Sequence, residues 1–337
     1  MKIKSLTKDM IDEAIHFVSA HRFQPYKEYE IEDDRFAEFT KHVLSELSSG
    51  GENLVLAAEE GARLVGILTL KKLAWDTDFF GMDMFDIDHI IAGESDDKHG
   101  VASRLIQSML KRLRERNGGI PHISVRINTE DIPTVHELER HDFKLMTTLV
   151  TYSFDVAKQK MIDFDAPCVL RDFTATDIQT LRQISRDSFT SNSVATNRFV
   201  ADASLPRDRV ERLYSAWVEN SCRGLADKVI VAESDGRPIA FTTCKLNPST
   251  GKFLNKSINS MVLSAVSSAS RTRGVYTNMI NAGLEWLYDK SDAVEVGTEV
   301  GNFPVQKAWT KLGFKIIRSQ YALARAPQVM GGNSRDV

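Results

Sequence analysis

A chain of 337 residues exceeds the usual size of one domain and suits two domains of roughly 150 residues each. Its 42% hydrophobic and 26% charged residues are the balance of a globular protein that buries two cores without disulfides or metal, which argues against disorder. A formal net charge of −3, from 43 Lys+Arg against 46 Asp+Glu, supplies no overall basic field for a nucleic-acid backbone; a local basic patch for a phosphorylated small molecule stays open.

The start, MKIKSLTKDMIDEA, reads as a strand running into a helix and has no apolar core of a secretory signal. No later run approaches about 18 uninterrupted apolar residues, so a cytoplasmic protein without a membrane partner is expected. In the first half, residues 2–6 read as a strand, 9–20 and 33–47 as helices, and 53–59 with 64–71 as a hairpin. A strand at 84–91, a helix at 100–116, a strand at 122–127, a helix at 129–140 and strands at 143–145 and 150–154 follow.

The second half repeats that order: a strand at 168–172, helices at 175–189 and 207–222, and a hairpin of 229–232 with 238–245 about Asp235-Gly236. A strand to residue 266, a helix at 274–288, a strand at 293–298, a helix at 303–312 and strands through 325 complete it. The repeat predicts an internally duplicated α/β protein with mixed sheets. Its lobes are residues 1–156 and 167–326, joined by a charged linker at 157–166 and followed by a frayed tail at 327–337. Cys168, Cys222 and Cys244 form no CxxC pair and leave one unpaired in any disulfide scheme, so a reducing compartment and buried thiols are expected.

The segment SAVSSASRTRGVY, residues 264–276, joins an apolar strand end through a Ser-rich loop to an amphipathic helix. Free N–H groups and the positive end of that helix would converge on one point, a natural pyrophosphate site. Gly274 would admit phosphates close to the backbone, while Arg271 and Arg273 would add charge-assisted bonds around Thr272. Alone, an Arg before a helix is more often a solvated cap. A second element follows, in which Asn302 opens a helix that carries Ala308 and Trp309 and closes on Gly313-Phe314.

The two elements together resemble the acyl-CoA signature of the GNAT acyltransferases, carried here by Arg271, Gly274 and Tyr276, then Asn302, Ala308, Gly313 and Phe314. The resemblance implies tandem GNAT folds, with the thioester of acetyl-CoA or another acyl-CoA between two splayed parallel strands, against the backbone of Leu263, Ala265 and Val266. Arg271 through Tyr276, including Val275, and Asn302 would complete the cofactor contacts. The first half carries the pattern in degraded form, with Lys98-His99-Gly100, then Asp131, Leu138, Asp142 and Phe143, which predicts a structural or acceptor-shaping lobe that no longer binds acyl-CoA, with a second live acyl-CoA site as the alternative.

Segments 73–81, 176–182, 214–224 and 296–302 are further similar to the dTDP-fucosamine N-acetyltransferases, which implies a nucleotide-linked amino sugar as acceptor. The general acid of that family, a Tyr, falls on Trp309, whose indole N–H lacks the acidity of a phenol. Tyr276 and Tyr321 are the candidate replacements, and Glu299 is the candidate base for the attacking amine. Asp76, Asp78 and Trp75 shape either the acceptor pocket or the fold; Tyr214, Trp217 and Val218, at helical spacing, read as a buried helix face. No HxH or HxxxH pair marks a metal site among the eight histidines. Acylation of a protein or small non-sugar amine, and non-catalytic acyl-CoA binding, stand as alternatives. A homodimer is admitted.

Overall fold

The computed structural model describes residues 1–93, 98–162, 168–189, 197–270 and 274–329. In chain order the elements are β1 (Lys2–Ser5), α1 (Ile11–Ser19), α2 (Asp33–Ser49), β2 (Leu54–Glu60), β3 (Arg63–Lys72), α3 (Ala74–Phe80), β4 (Met84–Ala92), α4 (Lys98–Asn117), β5 (Gly119–Ile120), β6 (His122–Asn128), α5 (Ile132–Arg140) and β7 (Lys144–Asp155). The second pass gives β8 (Val169–Asp172), α6 (Ile178–Phe189), α7 (Arg198–Ala201), α8 (Arg207–Asn220), β9 (Lys228–Ser234), β10 (Arg237–Lys245), α9 (Pro248–Leu254), β11 (Ile258–Val266), α10 (Val275–Tyr288), β12 (Ala293–Glu299), α11 (Phe303–Lys311) and β13 (Lys315–Arg325), with β14 (Gln328–Val329) after it.

These elements form two compact units that differ from the expected contiguous lobes. Unit 1 is Met1–Met146 with the chain from Gln320 onward, and unit 2 is Thr147–Ser319. In unit 1 the strand order is β1-β2-β3-β4-β6, closed by residues 320–325 of β13, which pair antiparallel with β6. In unit 2 the order is β8-β9-β10-β11-β12, closed by residues 149–155 of β7. Each sheet thus takes its last strand from the other half of the sequence. The reason is local. Where two short strands were expected, β7 runs unbroken through KLMTTLVTYSFD, which has no Gly, Pro or Asn to turn on and three Thr that favour extended backbone.

Each core forms under a central helix. On α4, Val101, Leu105 and Met109 recur every fourth residue and are buried against Leu68, Phe85 and Ile123 of the sheet. On α10, Val275, Met279 and Ile280, then Leu284 and Leu287, do the same over Val294 and Val296. Full burial of one such side chain contributes about 1.5–3 kcal/mol.

Three short helices, α3, α7 and α9, were not foreseen. α3 and α9 occupy the same place in the two units, and each ends in a left-handed residue, Gly81 at φ 71° and Asn255 at φ 51°. The WDTDFF segment is therefore helical, with Trp75 stacked on Phe79 at 5.0 Å. The expected frayed tail begins too early, since Gln328 and Val329 pair with Ile120 and Gly119. The three cysteines are free, and burial pushes the Cys244 thiol up to about 12, as suits an inert small hydrophobe. No helix among the described residues is long and apolar enough to cross a membrane.

Candidate active site

In unit 2 the parallel ladder of β11 and β12 runs from Ile258 opposite Ala293 to Met261 opposite Val296 and stops there. A bulge stops it. β10 pairs Thr243 with Leu263 and Cys244 with Met261, so Val262 is an extra residue that bends the strand. Beyond the bulge, residues 263–266 stay on β10 and residues 297–299 stay on β7. Their facing edges are left without strand partners, which opens the sheet.

The parity of β11 decides which amides face that opening. Leu263 N–H donates to Thr243 Oγ1 at 3.0 Å, and Ser267 N–H donates to the Ile239 carbonyl at 2.8 Å, so both point to β10. Alternation then turns the amides of Ser264 and Val266 to the open edge and that of Ala265 away from it. Of the three expected backbone positions, Leu263 and Ala265 are thus directed to β10, and Val266 remains. Ser264, which the sequence reading passed over, is the additional one, since its parity follows only once the partner of the Leu263 N–H is known. The Val266 carbonyl already accepts the Ser188 hydroxyl at 3.3 Å.

At the start of α10, Gly274 sits at φ 104°, a left-handed conformation that a side chain resists, and its carbonyl accepts both the Asn278 N–H at 2.8 Å and Nδ2 at 3.0 Å. Val275 is buried at the first helical position. Arg271, Thr272 and Arg273 lie outside the described residues.

The end of β12 carries a polar network. Asn302 Nδ2 donates to Thr298 Oγ1 at 3.0 Å, and the Thr298 hydroxyl reaches Glu299 Oε2 at 3.5 Å. Gln306 Nε2 donates to the Val300 carbonyl at 2.7 Å, and its Oε1 accepts the Tyr152 hydroxyl at 3.2 Å. Asn302 therefore ties its helix to the strand end, because its side chain makes no cap bond to α11. The Glu299 carboxylate is half-buried and lies near enough to Tyr214 for its charge to add to burial, the larger cause, in raising the phenol above its ordinary range.

Tyr214 is the centre of an aromatic set. It stacks on Phe189 at 4.5 Å and on Trp217 at 5.9 Å, with Phe199 edge-on at 6.4 Å. The buried helix face expected of Tyr214 and Val218 is present, while Trp217 is partly exposed.

Trp309 is 4% exposed and meets Tyr152 edge-on at 5.6 Å. Its Nε1 makes no hydrogen bond of ordinary geometry. Tyr276 packs beside it, close enough for the indole to favour the phenolate, yet burial dominates and drives the Tyr276 pKa up, so the phenol stays protonated at neutral pH. Tyr276 and Trp309 are thus brought together, whereas Tyr321 belongs to the sheet of unit 1. Among the described residues no three His, Cys, Asp or Glu side chains gather to hold a metal.

Comparison with known proteins bears on the fold. Residues 179–314 match the acetyltransferase (GNAT) family. No curated protein matches the chain in sequence. Among solved structures, a GCN5-related N-acetyltransferase from Sphaerobacter thermophilus superposes with a TM-score of 0.66 at 11% identity, over 99% of this chain and 97% of its own. A tandem GNAT protein from the clavulanic acid biosynthesis pathway gives 0.56 at 11% identity, over 98% and 99%. The glucosamine N-acetyltransferase region of a fungal GH3 β-N-acetylglucosaminidase gives 0.62 at 14% identity, over 96% of this chain and 38% of that one. The chain has a tandem GNAT fold, and residues 179–314, within its second unit, match the GNAT acetyltransferase family.

Proposed function

We propose that unit 2 transfers an acetyl or other short acyl group from acyl-CoA to the primary amine of a nucleotide-linked amino sugar. The observation that carries the acceptor side is Glu299 at the strand end, whose charge bears on Tyr214 of the Phe189–Tyr214–Trp217 stack; the partly exposed Phe189 and Trp217 would offer ring faces to a base or sugar ring. A glucosamine N-acetyltransferase region among the structural neighbours supports a sugar amine without deciding it. The open edge of β11 and the left-handed Gly274 fit an acyl-CoA arm along the opening with its phosphates at the start of α10.

The reaction follows as direct transfer. The neutral amine attacks the thioester carbon, the oxyanion takes a hydrogen bond from the Ser264 N–H, and the C–S bond breaks as the amide forms. Glu299 accepts the amine proton, directly or through water. The thiolate of CoA is a fair leaving group, and the Tyr276 phenol beside Trp309 is the proton donor nearest the usual acid position; Trp309 can offer the sulfur a hydrogen bond. Thiol release from acetyl-CoA, followed with a panel of nucleotide-linked amino sugars and with polyamine and peptide amines as controls, tests the reading. Release that depends on one amino sugar supports it. Release with a peptide or polyamine alone replaces the acceptor, and no release with any amine removes the activity.

A further inference from the structure

Unit 1 builds the same turn from strand to helix as unit 2 and closes it with different side chains. The parallel ladder of β4 and β6 stops at Ile87 opposite Val125, and β3 pairs Thr69 with His89 and Leu70 with Ile87, so Asp88 bulges in unit 1 as Val262 does in unit 2. The two ladder ends align Val125 with Val296. Counting on from them aligns Ile127 with Thr298, Asn128 with Glu299, Asp131 with Asn302, Val135 with Gln306 and Leu138 with Trp309. On the closing strands, Leu323 opposite Val125 aligns with Tyr152 opposite Val296.

The backbone of the turn is the same in both units. Asp131 N–H donates to the Asn128 carbonyl at 2.9 Å and Val135 N–H to the Asp131 carbonyl at 3.2 Å; Asn302 N–H donates to the Glu299 carbonyl at 2.9 Å and Gln306 N–H to the Asn302 carbonyl at 3.2 Å. Unit 1 achieves this with Ile127, Val135 and Leu323, all packed in or against its core. The fold therefore does not require Thr298, Gln306 and Tyr152, whose polar atoms must be desolvated where apolar side chains serve. In unit 2 they bracket the end of β12. Gln306 Nε2 donates to the Val300 carbonyl at 2.7 Å and to the Glu299 carbonyl at 3.4 Å. A carbonyl only accepts, so the Nε2 side of the amide must face these two, and Oε1 is left to accept the Tyr152 hydroxyl at 3.2 Å. The Tyr152 ring is buried and meets Trp309 edge-on at 5.6 Å. One chain of contacts thus joins the residue at the usual acid position, through Tyr152 and Gln306, to the peptide that carries Glu299.

We propose that Gln306, oriented by Tyr152, is a positioning residue for Glu299. The inference rests on the reading of Glu299 as the base that takes the amine proton. Proton transfer needs the carboxylate within hydrogen-bond reach of the amine, and an error of about 1 Å costs up to roughly 10²-fold in rate. Holding the two peptides that follow Glu299 sets where its side chain leaves the sheet.

The test is a double-mutant cycle on the kcat of the full chain, with the amine acceptor that thiol release identifies. Gln306→Val, a change the matching turn of unit 1 already accommodates, should lower kcat about tenfold and leave the KM for acetyl-CoA unchanged. Tyr152→Phe, which keeps the ring and removes the hydroxyl, should lower kcat severalfold. In Glu299→Gln neither change should reduce the residual kcat, because no base remains to be placed. Unchanged kcat in Gln306→Val, or the same loss with and without Glu299, overturns the proposal. Full activity of Glu299→Gln alone also ends it, for the separate reason that the base reading has failed. Hydrogen exchange reads the bracket without turnover: Gln306→Val should speed exchange of the Asn302 and Val300 amides, which bond the Glu299 and Thr148 carbonyls at 2.9 and 2.8 Å, and leave Val294 and Val296 as they were. Equal rates at Asn302 and Val300, or faster exchange along all of β12, would mark Gln306 as irrelevant to the turn or as merely structural, and either result overturns the proposal.

Discussion

The opening of unit 2 is edged by Val262, Leu263 and Gly297, whereas the same register positions in unit 1 hold Asp88, His89 and Arg126. The backbone around the two is closely shared. Thr243 takes the Leu263 N–H and Thr69 takes the His89 N–H, each at 3.0 Å, and Gly313 and Asp142 both turn at positive φ before a buried Phe. The bulge and its threonine clamp therefore belong to the fold, and the two openings differ in the side chains beside them. A duplicated scaffold can keep its architecture while the side chains of one copy change.

Substitutions made in pairs, one in each unit, separate these two contributions. The largest effect is expected at Glu299→Gln, which should lower kcat by about 10²-fold or more if the carboxylate takes the amine proton. Asn128→Asp, at the matching place, should leave kcat unchanged; steady-state kinetics of both variants decide. Next comes Gly274→Val. A β-branched residue at φ 104° carries about 1–3 kcal/mol of strain, roughly a ten- to hundredfold loss of acyl-CoA affinity if the entrance to α10 shifts. Gly100→Val, within α4, should leave that affinity intact in calorimetric titration.

Thr243→Val and Thr69→Val each strand a buried N–H and should cost about 1–3 kcal/mol in denaturant unfolding. Thr69→Val should cost the more, since it also removes the partner of His89 Nδ1. Trp309→Tyr should raise turnover severalfold if protonation of the thiolate limits the rate, while Leu138→Tyr should not; unchanged single-turnover rates would assign Trp309 to packing.

The smallest expected effect is on pH. All eight histidines lie in Met1–Met146, and burial lowers the pKa of both His89 and His141 below 6.5. The unfolded chain then binds more protons than the folded one, so this stability is present above pH 6.5 and is lost as pH falls through the lowered values. Hydrogen exchange between pH 7.5 and 5.5, corrected for its intrinsic pH dependence, should lose protection in β4 and β6 more than in β11 and β12. His89→Leu should reduce the difference.

Much of this was legible in the sequence. The strand-loop-helix run through Gly274 and the Asn302-to-Phe314 helix carry local signals, turn residues and helical spacing that hold whatever surrounds them. Repetition of element order exposed the duplication. Partner choice was not legible, because the alternation in KLMTTLVTYSFD is the same whether the strand turns back or crosses to the other unit. The free amide at Ser264 was missed for a related reason, as parity depends on which neighbour takes the Leu263 N–H. Gln306 and Tyr152 read as ordinary helix and strand residues, and only the fold brings them together.

The central claim is that only unit 2 engages acyl-CoA, and calorimetric titration of the full chain with acetyl-CoA tests it most directly. The account predicts one molecule bound per chain, with affinity reduced by Gly274→Val and indifferent to Gly100→Val. Two molecules per chain, or one whose affinity falls only with Gly100→Val, would contradict it.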